Sequence, residues 1–217
     1  MQLSKSLFWT SISCMLVLVM CAVFLIVQKK SLEKALSAAV QNAHEHNYKK
    51  QLAETKVGTL ETYLMLSVES NKKSITDNVS LTDMKNNKRS AAEAFAGKTP
   101  YLVFRYSYSD CAPCIDTVFK YLWELKNNVD PNKLQIAVIP NDIELKQKLE
   151  QDTLSFKNQF TFYMTDGNGL GLPIDKVWLP YLLIVDENKY TNHVFIVDKM
   201  FQPLLEKYFE VIAERYE

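Results

Sequence analysis

Two cysteines carry the most chemical information in this chain. Cys111 and Cys114 stand in the stretch YSDCAPC, and they are the only cysteines after Cys21. A C-x-x-C pair on the first turn of a helix has a mechanism. The helix N-terminus offers free N–H groups and partial positive charge, which favour a thiolate at the first, more exposed cysteine. That thiolate attacks a disulfide, and the second cysteine, one turn on, resolves the mixed disulfide. Pro113, inside the pair, suits a first helical turn, where a missing N–H costs little.

Other uses of the pair fit less well. A structural disulfide framework needs more cysteines, spread through the chain. A tetrahedral zinc site needs two further ligands, and the three histidines, His44, His46 and His193, form no second half-site. His44 and His46 are two residues apart and do not share a helix face, so they read as solvated side chains. No metal and no bound cofactor is expected, only a redox partner.

The elements that would position the pair follow from the hydrophobic pattern. Tyr101–Tyr106 (YLVFRY) reads as a strand and Ser107–Asp110 as a loop. Cys111 then opens a helix with a buried stripe at Ile115, Val118, Phe119, Leu122 and Leu125. Leu134–Ile139 is a short apolar run of the kind buried in a parallel sheet. Asn141-Asp142 caps a helix over 143–154. Phe160–Met164, Tyr181–Val185 and Tyr190–Val197 are further strands, the last two joined by a turn at Asp186–Lys189. A C-terminal helix runs from Phe201 to Tyr216 with Leu204, Leu205, Tyr208, Val211 and Ile212 on one side. Strands alternating with helices predict an α/β sandwich, mostly parallel at its centre with an antiparallel edge.

The chain before this region is different. Leu7–Val27 holds no charge and is long enough to cross a hydrocarbon core as a helix. It has no small-residue cleavage site, so it reads as a retained anchor rather than a signal peptide. Cys21, preceded by bulky Met20, is a poor lipidation cysteine. Residues 31–57 read as a helical, solvated stalk that Gly58 stops. Thr59–Ser67 reads as a strand or short helix, Ser74–Leu81 as a hairpin arm, and Asp83–Gly97 as a loop and short helix. The expected division is an anchor over 1–30, a stalk over 31–60 and a folded domain over 61–217. The 217-residue chain carries 25 basic and 25 acidic side chains, which disfavours a nucleic-acid binder working by phosphate neutralisation.

YLVFRYSYSDCAPC with its amphipathic helix, and WLPYLLIV downstream, resemble the thioredoxin superfamily over roughly residues 65–217. The resemblance implies a thioredoxin-like three-layer sandwich with a mixed sheet. It also implies a cis-proline beside the cysteine pair at the start of an antiparallel strand. Pro180 matches that position, and Pro173 is its rival. With the anchor, the chain looks like the membrane-tethered thiol-disulfide oxidoreductases of bacterial redoxin and cytochrome-maturation systems. That likeness implies a single pass through the bacterial inner membrane and a domain facing the periplasm. There it would reduce or exchange protein disulfides, drawing electrons from a donor such as a membrane electron carrier.

The sequence also departs from the family. Asp110 stands where the family often has Trp, and its carboxylate opposes a Cys111 thiolate unless it caps the helix and points away. Arg105 stands six residues before Cys111, where many thioredoxins bury an acid. It reads as a structural salt-bridge partner or a tuner of the thiol. Tyr106 and Tyr108 pack or line a substrate groove. Gly167–Gly171 (GNGLG) looks like a phosphate cradle but lies in the wrong place in the element order, and reads as a turn. A peroxidase-like redoxin lacks support, because Tyr108 stands where that chemistry needs a threonine. The competing class is a non-catalytic thioredoxin-like binding module at the cell envelope, with its cysteines a fixed disulfide.

Overall fold

A computed structural model describes residues 3–76, 78–107, 112–140, 160–165 and 169–217. Asp110, Cys111, Tyr108, Gly167 and the helix expected over 143–154 lie outside the described residues. By internal contacts the chain divides into residues Met1–Val57 and Gly58–Glu217.

Helix α1 spans Leu3–Ser70 without a break. Two expectations are corrected here: Gly58 does not stop the helix, and Thr59–Ser67 is neither a strand nor a separate helix. A lone glycine inside a helix costs only about 1 kcal/mol relative to alanine. The residues after it more than offset this, because Tyr63 and Leu66 pack onto the folded core. The helix ends where Lys72 takes a left-handed conformation at φ 57°. Within Met1–Val57 the helix is exposed along its described side chains, including the apolar run through Met20, Phe24 and Ile26. This helix is long and apolar enough to cross a membrane.

Among the described residues, Gly58–Glu217 builds a seven-stranded sheet in the order β2-β1-β5-β4-β3-β6-β7. In chain order the elements are β1 (Ser80–Asp83), β2 (Lys88–Ser90), α2 (Ala91–Ala94), β3 (Tyr101–Tyr106), α3 (Ala112–Asn128) and β4 (Gln135–Pro140). They continue as β5 (Thr161–Thr165), β6 (Tyr181–Val185), β7 (Thr191–Ile196) and α4 (Gln202–Tyr216). The centre is parallel, with β3 beside β4 and β4 beside β5. β6 runs antiparallel to β3 and β7 antiparallel to β6. The antiparallel pair β1–β2 extends the other edge through β5. β2 escapes a reading by pattern because three residues, Lys-Arg-Ser, carry no hydrophobic alternation. Ser90 also starts α2, where it forms a capping box with Glu93: the Glu93 N–H donates to Ser90 Oγ at 3.2 Å and the Ser90 N–H to Glu93 Oε2 at 3.0 Å.

The strands are covered on both faces, which is why β3, β4 and β6 read as near-continuous apolar runs. One face presents Leu102, Phe104, Val138 and Leu182 to Val118 and Leu122 of α3 and to Leu205 and Phe209 of α4. The opposite face presents Val103, Ala137, Ile139 and Leu183 to α2, to Phe95 and to the last turns of α1. The result is a three-layer sandwich. The buried side of α4 is Leu205, Phe209 and Ile212, while Leu204 and Val211 are exposed. The side read from the sequence was therefore rotated. In α3, Cys114, Val118, Leu122 and Leu125 are buried, and the partly buried Ile115 and Phe119 pack beside them.

Candidate functional site

Strand β3 is central to the sheet, and its carboxyl end leads through residues 107–111 into α3. Ala112 is the first helical residue, so Pro113 and Cys114 lie on the first turn. The helix N-terminus tolerates Pro113, whose carbonyl accepts a 2.7 Å hydrogen bond from the Thr117 hydroxyl. Cys114 is 8% exposed and packs in the same core as Tyr106 and Val118. Burial suits a resolving cysteine, which must meet a mixed disulfide from inside rather than solution thiols. Tyr106 packs rather than lining a groove. Its ring stacks on Phe104 at 5.1 Å and meets the edge of Phe119 at 5.8 Å.

A small cleft opens beside Cys114, with a volume of about 100 Å³. Pro113, Cys114, Val197, Asp198, Lys199 and Leu205 are among the residues that line it. Asp198 is held in place on both sides. Asp198 caps the following 3-10 turn by accepting from the Met200 N–H at 2.8 Å, and its other oxygen accepts from the Tyr63 hydroxyl at 2.7 Å.

Pro180 lies at the entrance to β6, where its carbonyl accepts from the Val197 N–H at 2.8 Å. Val197 in turn lines the Cys114 cleft, so the segment at Pro180 borders the site. The expected cis geometry is not found: no described peptide bond is cis. Trans is the favoured X–Pro isomer by roughly 0.5–1 kcal/mol. Trp178, two residues earlier, takes a left-handed conformation at φ 53°. Pro173, the rival, opens the 3-10 turn Pro173–Val177 and is not at a strand entrance.

Arg105 is completely buried. It pairs in register with Tyr181 across β3 and β6, and its guanidinium lies 5.7 Å from the centre of the Tyr181 ring. Its Nη1 donates to the Leu179 carbonyl at 3.5 Å. The residue that completes this cluster, Asp175, was not singled out from the sequence. Tyr181 donates its hydroxyl to Asp175 Oδ1 at 2.7 Å, and the Leu172 N–H donates to Asp175 Oδ2 at 2.7 Å. Burial pushes the Asp175 carboxyl above its ordinary value, against the opposing pull of the Tyr181 hydroxyl, the Leu172 N–H and the Arg105 charge. Burial and the Asp175 charge push the Tyr181 phenol well above its own ordinary value.

The glycine-rich loop explains part of this geometry. Gly169 has φ 118°, and a Cβ there would overlap the Asp175 carboxylate. At Gly169 the described part of the loop closes over an anion belonging to the chain itself. Only the proximity of two glycines to an aspartate hinted at this in the sequence, and spacing alone does not distinguish it from any other loop. Among the described residues there is no group of three or more His, Cys, Asp or Glu side chains placed to hold a metal ion.

A parallel β3–α3–β4 unit, an antiparallel β6–β7 hairpin on the other side of β3, a closing α4 and a cysteine on the first turn of α3 define the thioredoxin-like fold. No protein family and no curated protein matches the sequence. Several solved structures are similar to part of the chain. A thioredoxin-like protein from Porphyromonas gingivalis is 12% identical with a TM-score of 0.47, over 68% of this chain and 97% of that one. The thioredoxin domain of a thiol-disulfide oxidoreductase from Bacteroides vulgatus is 14% identical with a TM-score of 0.42, over 64% and 97%. A secreted disulfide oxidoreductase from Mycobacterium tuberculosis is 12% identical with a TM-score of 0.42, over 61% and 94%. The fold assignment rests on the strand order and directions described above.

Proposed function

We propose that this protein is a membrane-anchored thiol-disulfide oxidoreductase acting on protein disulfides at the extracytoplasmic face of a bacterial inner membrane. The observation that carries the reading is Cys114, buried on the first turn of the helix after the central strand of a thioredoxin-like sheet. The apolar part of α1 supports the anchor.

In this reaction the Cys111 thiolate attacks one sulfur of a substrate disulfide. A new S–S bond forms, the substrate S–S bond breaks, and one substrate sulfur leaves as a thiolate that takes up a proton. Cys114 loses its proton and attacks Cys111 Sγ, releasing the second substrate thiol. The substrate has gained two electrons and the Cys111–Cys114 pair has become a disulfide. A second turnover therefore needs a dithiol donor, for which a membrane electron carrier is the proposed source. The helix N-terminus stabilises the attacking thiolate.

The test is the midpoint potential of the Cys111/Cys114 couple in the detergent-solubilised full chain, equilibrated with glutathione or dithiothreitol. A reversible two-electron couple supports the reading. A value near about −270 mV indicates a reductant, and one near about −120 mV an oxidant. A pair that does not cycle overturns the enzyme reading and leaves a binding module.

A further inference from the structure

We propose that Tyr63 is a positioning residue for the buried thiol: through Asp198 and Phe201 it holds the segment that lines the Cys114 cleft, and so keeps Cys114 out of reach of reagents in solution. The inference rests on the resolving role proposed for Cys114 for its meaning, although its test requires no turnover.

Three observations carry it. First, the cleft is lined by two stretches of chain. One is Pro113–Thr117 at the start of α3, which includes Cys114, and the other is Val197–Leu205, which leads from β7 into α4. Cys114 keeps its low exposure of 8% only while the second stretch stays in place against the first.

Second, Tyr63 holds that second stretch at two points. Its hydroxyl donates to Asp198 Oδ2 at 2.7 Å, and its ring meets the edge of Phe201 at 5.9 Å. These residues stand at the two ends of the 3-10 turn, which Asp198 precedes and Phe201 completes. Asp198 Oδ1 accepts from the Met200 N–H at 2.8 Å at the same time. One carboxylate is thus shared between the turn and α1. A turn of three residues has no ladder of its own to fix it, so contacts from outside decide how often it opens.

Third, the tie joins the two faces of the sheet. Tyr63 packs with the core on one face, while Cys114, Val197 and Leu205 pack with the core on the other. The Val197 N–H, bonded to the Pro180 carbonyl at 2.8 Å, fixes the start of the stretch, and Tyr63 fixes the part that follows. Disulfide exchange is governed by access as well as by acidity. A thiol meant for one intramolecular attack is therefore protected by a segment that stays shut.

The experiment is the alkylation rate of Cys114 by N-ethylmaleimide in the full-length, detergent-solubilised Cys111→Ser protein, resolved by peptide mass spectrometry under native conditions. Tyr63→Phe keeps the ring and deletes the hydroxyl, with no change of charge. The rate is expected to rise about fivefold, the factor set by the loss of one hydrogen bond of ordinary net strength. Asp198→Ala is expected to raise it at least as much. Asp198→Asn keeps both bonds, because its oxygen accepts from the Met200 N–H and its amide donates to the Tyr63 hydroxyl, so the rate is expected to stay near that of the parent. Leu66→Ala separates this effect from a loosened fold. Leu66 packs on the same core as Tyr63 and does not line the cleft, so its rate is also expected to stay near that of the parent. A rate unchanged by Tyr63→Phe, or an equal rise in Leu66→Ala, overturns the proposal. If Tyr63→Phe fails to fold, the two Asp198 variants decide: fast alkylation in the alanine variant alone supports the proposal, and equal rates overturn it. No disulfide is exchanged in the assay, so a wild-type pair that fails to cycle counts against the proposed function alone.

Discussion

The hydroxyl of Tyr63, near the carboxyl end of α1, donates to Asp198 Oδ2 at 2.7 Å across 135 positions of chain. Asp198 also caps the 3-10 turn Lys199–Phe201 and, with Lys199, lines the Cys114 cleft. Tyr63 packs edge-on against Phe201, with ring centres 5.9 Å apart. Burial, reinforced by the Asp198 hydrogen bond and charge, pushes the phenol upward, so it stays a donor through the neutral range. Tyr63→Phe keeps the ring contact and loses the hydrogen bond. The expected cost is about 1 kcal/mol of stability, read as a lower urea midpoint. Asp198→Ala removes the cap as well, and the expected cost is about 2 kcal/mol.

The two cysteines are expected to fail differently. Cys114→Ser leaves the attacking thiol and removes the resolver, so it accumulates a mixed disulfide with a substrate protein on non-reducing gels. Cys111→Ser leaves only the buried thiol and accumulates none. Equal trapping by both variants would contradict the assigned order of attack.

Gly169 is a position where no side chain fits. Its φ of 118° is unfavourable for any L-residue, and an added Cβ would run into the Asp175 carboxylate. Gly169→Ala is expected to destabilise the protein by about 2 kcal/mol or more, measured by urea denaturation. Gly58→Ala is the contrasting case. A Cβ at Gly58 meets nothing within 4 Å, and alanine is the better helix former by about 1 kcal/mol. That variant is expected to match or exceed the wild type in stability.

Acid sensitivity is expected at His193. Burial, followed by the Arg215 charge, lowers its proton affinity below the ordinary value of 6.5. Arg215 Nη1 lies 2.5 Å from His193 Nε2, so the ring nitrogen accepts and a proton there would face a guanidinium. The unfolded chain then binds a proton more readily than the folded one. Stability falls as pH drops below about 6.5 toward the depressed folded value, and is regained on raising the pH. Urea midpoints across that window should slope upward with pH, and His193→Gln should flatten the slope. An unchanged slope in the variant would assign the acid sensitivity elsewhere.

The local pattern of the chain sufficed for the core elements. Tyr101–Tyr106 and Tyr181–Val185 form strands at the expected bounds, because short apolar runs rich in aromatic and branched residues have few other uses. The helix after the cysteine pair was legible from its 3.6-residue stripe, and the long apolar N-terminal helix from its uninterrupted apolar run. Gly58 misled because helix stops are read from local propensity, while the packing of Tyr63 and Leu66 acts from distant sequence and outweighs one glycine. The Pro180 peptide bond misled because isomer choice depends on the surrounding backbone, which residue types and spacing do not specify. Asp175 was invisible for the same kind of reason. A carboxylate beside a lysine in a short connecting segment looks solvated until the sheet brings Arg105 and Tyr181 to it and Gly169 closes above it. Sequence alone determined which residues carry thiol chemistry and which elements present them. Only the tertiary structure decided which polar groups are buried and with what they pair, as for Arg105, Tyr181 and Asp175, because burial and pairing between distant strands are properties of the assembled core.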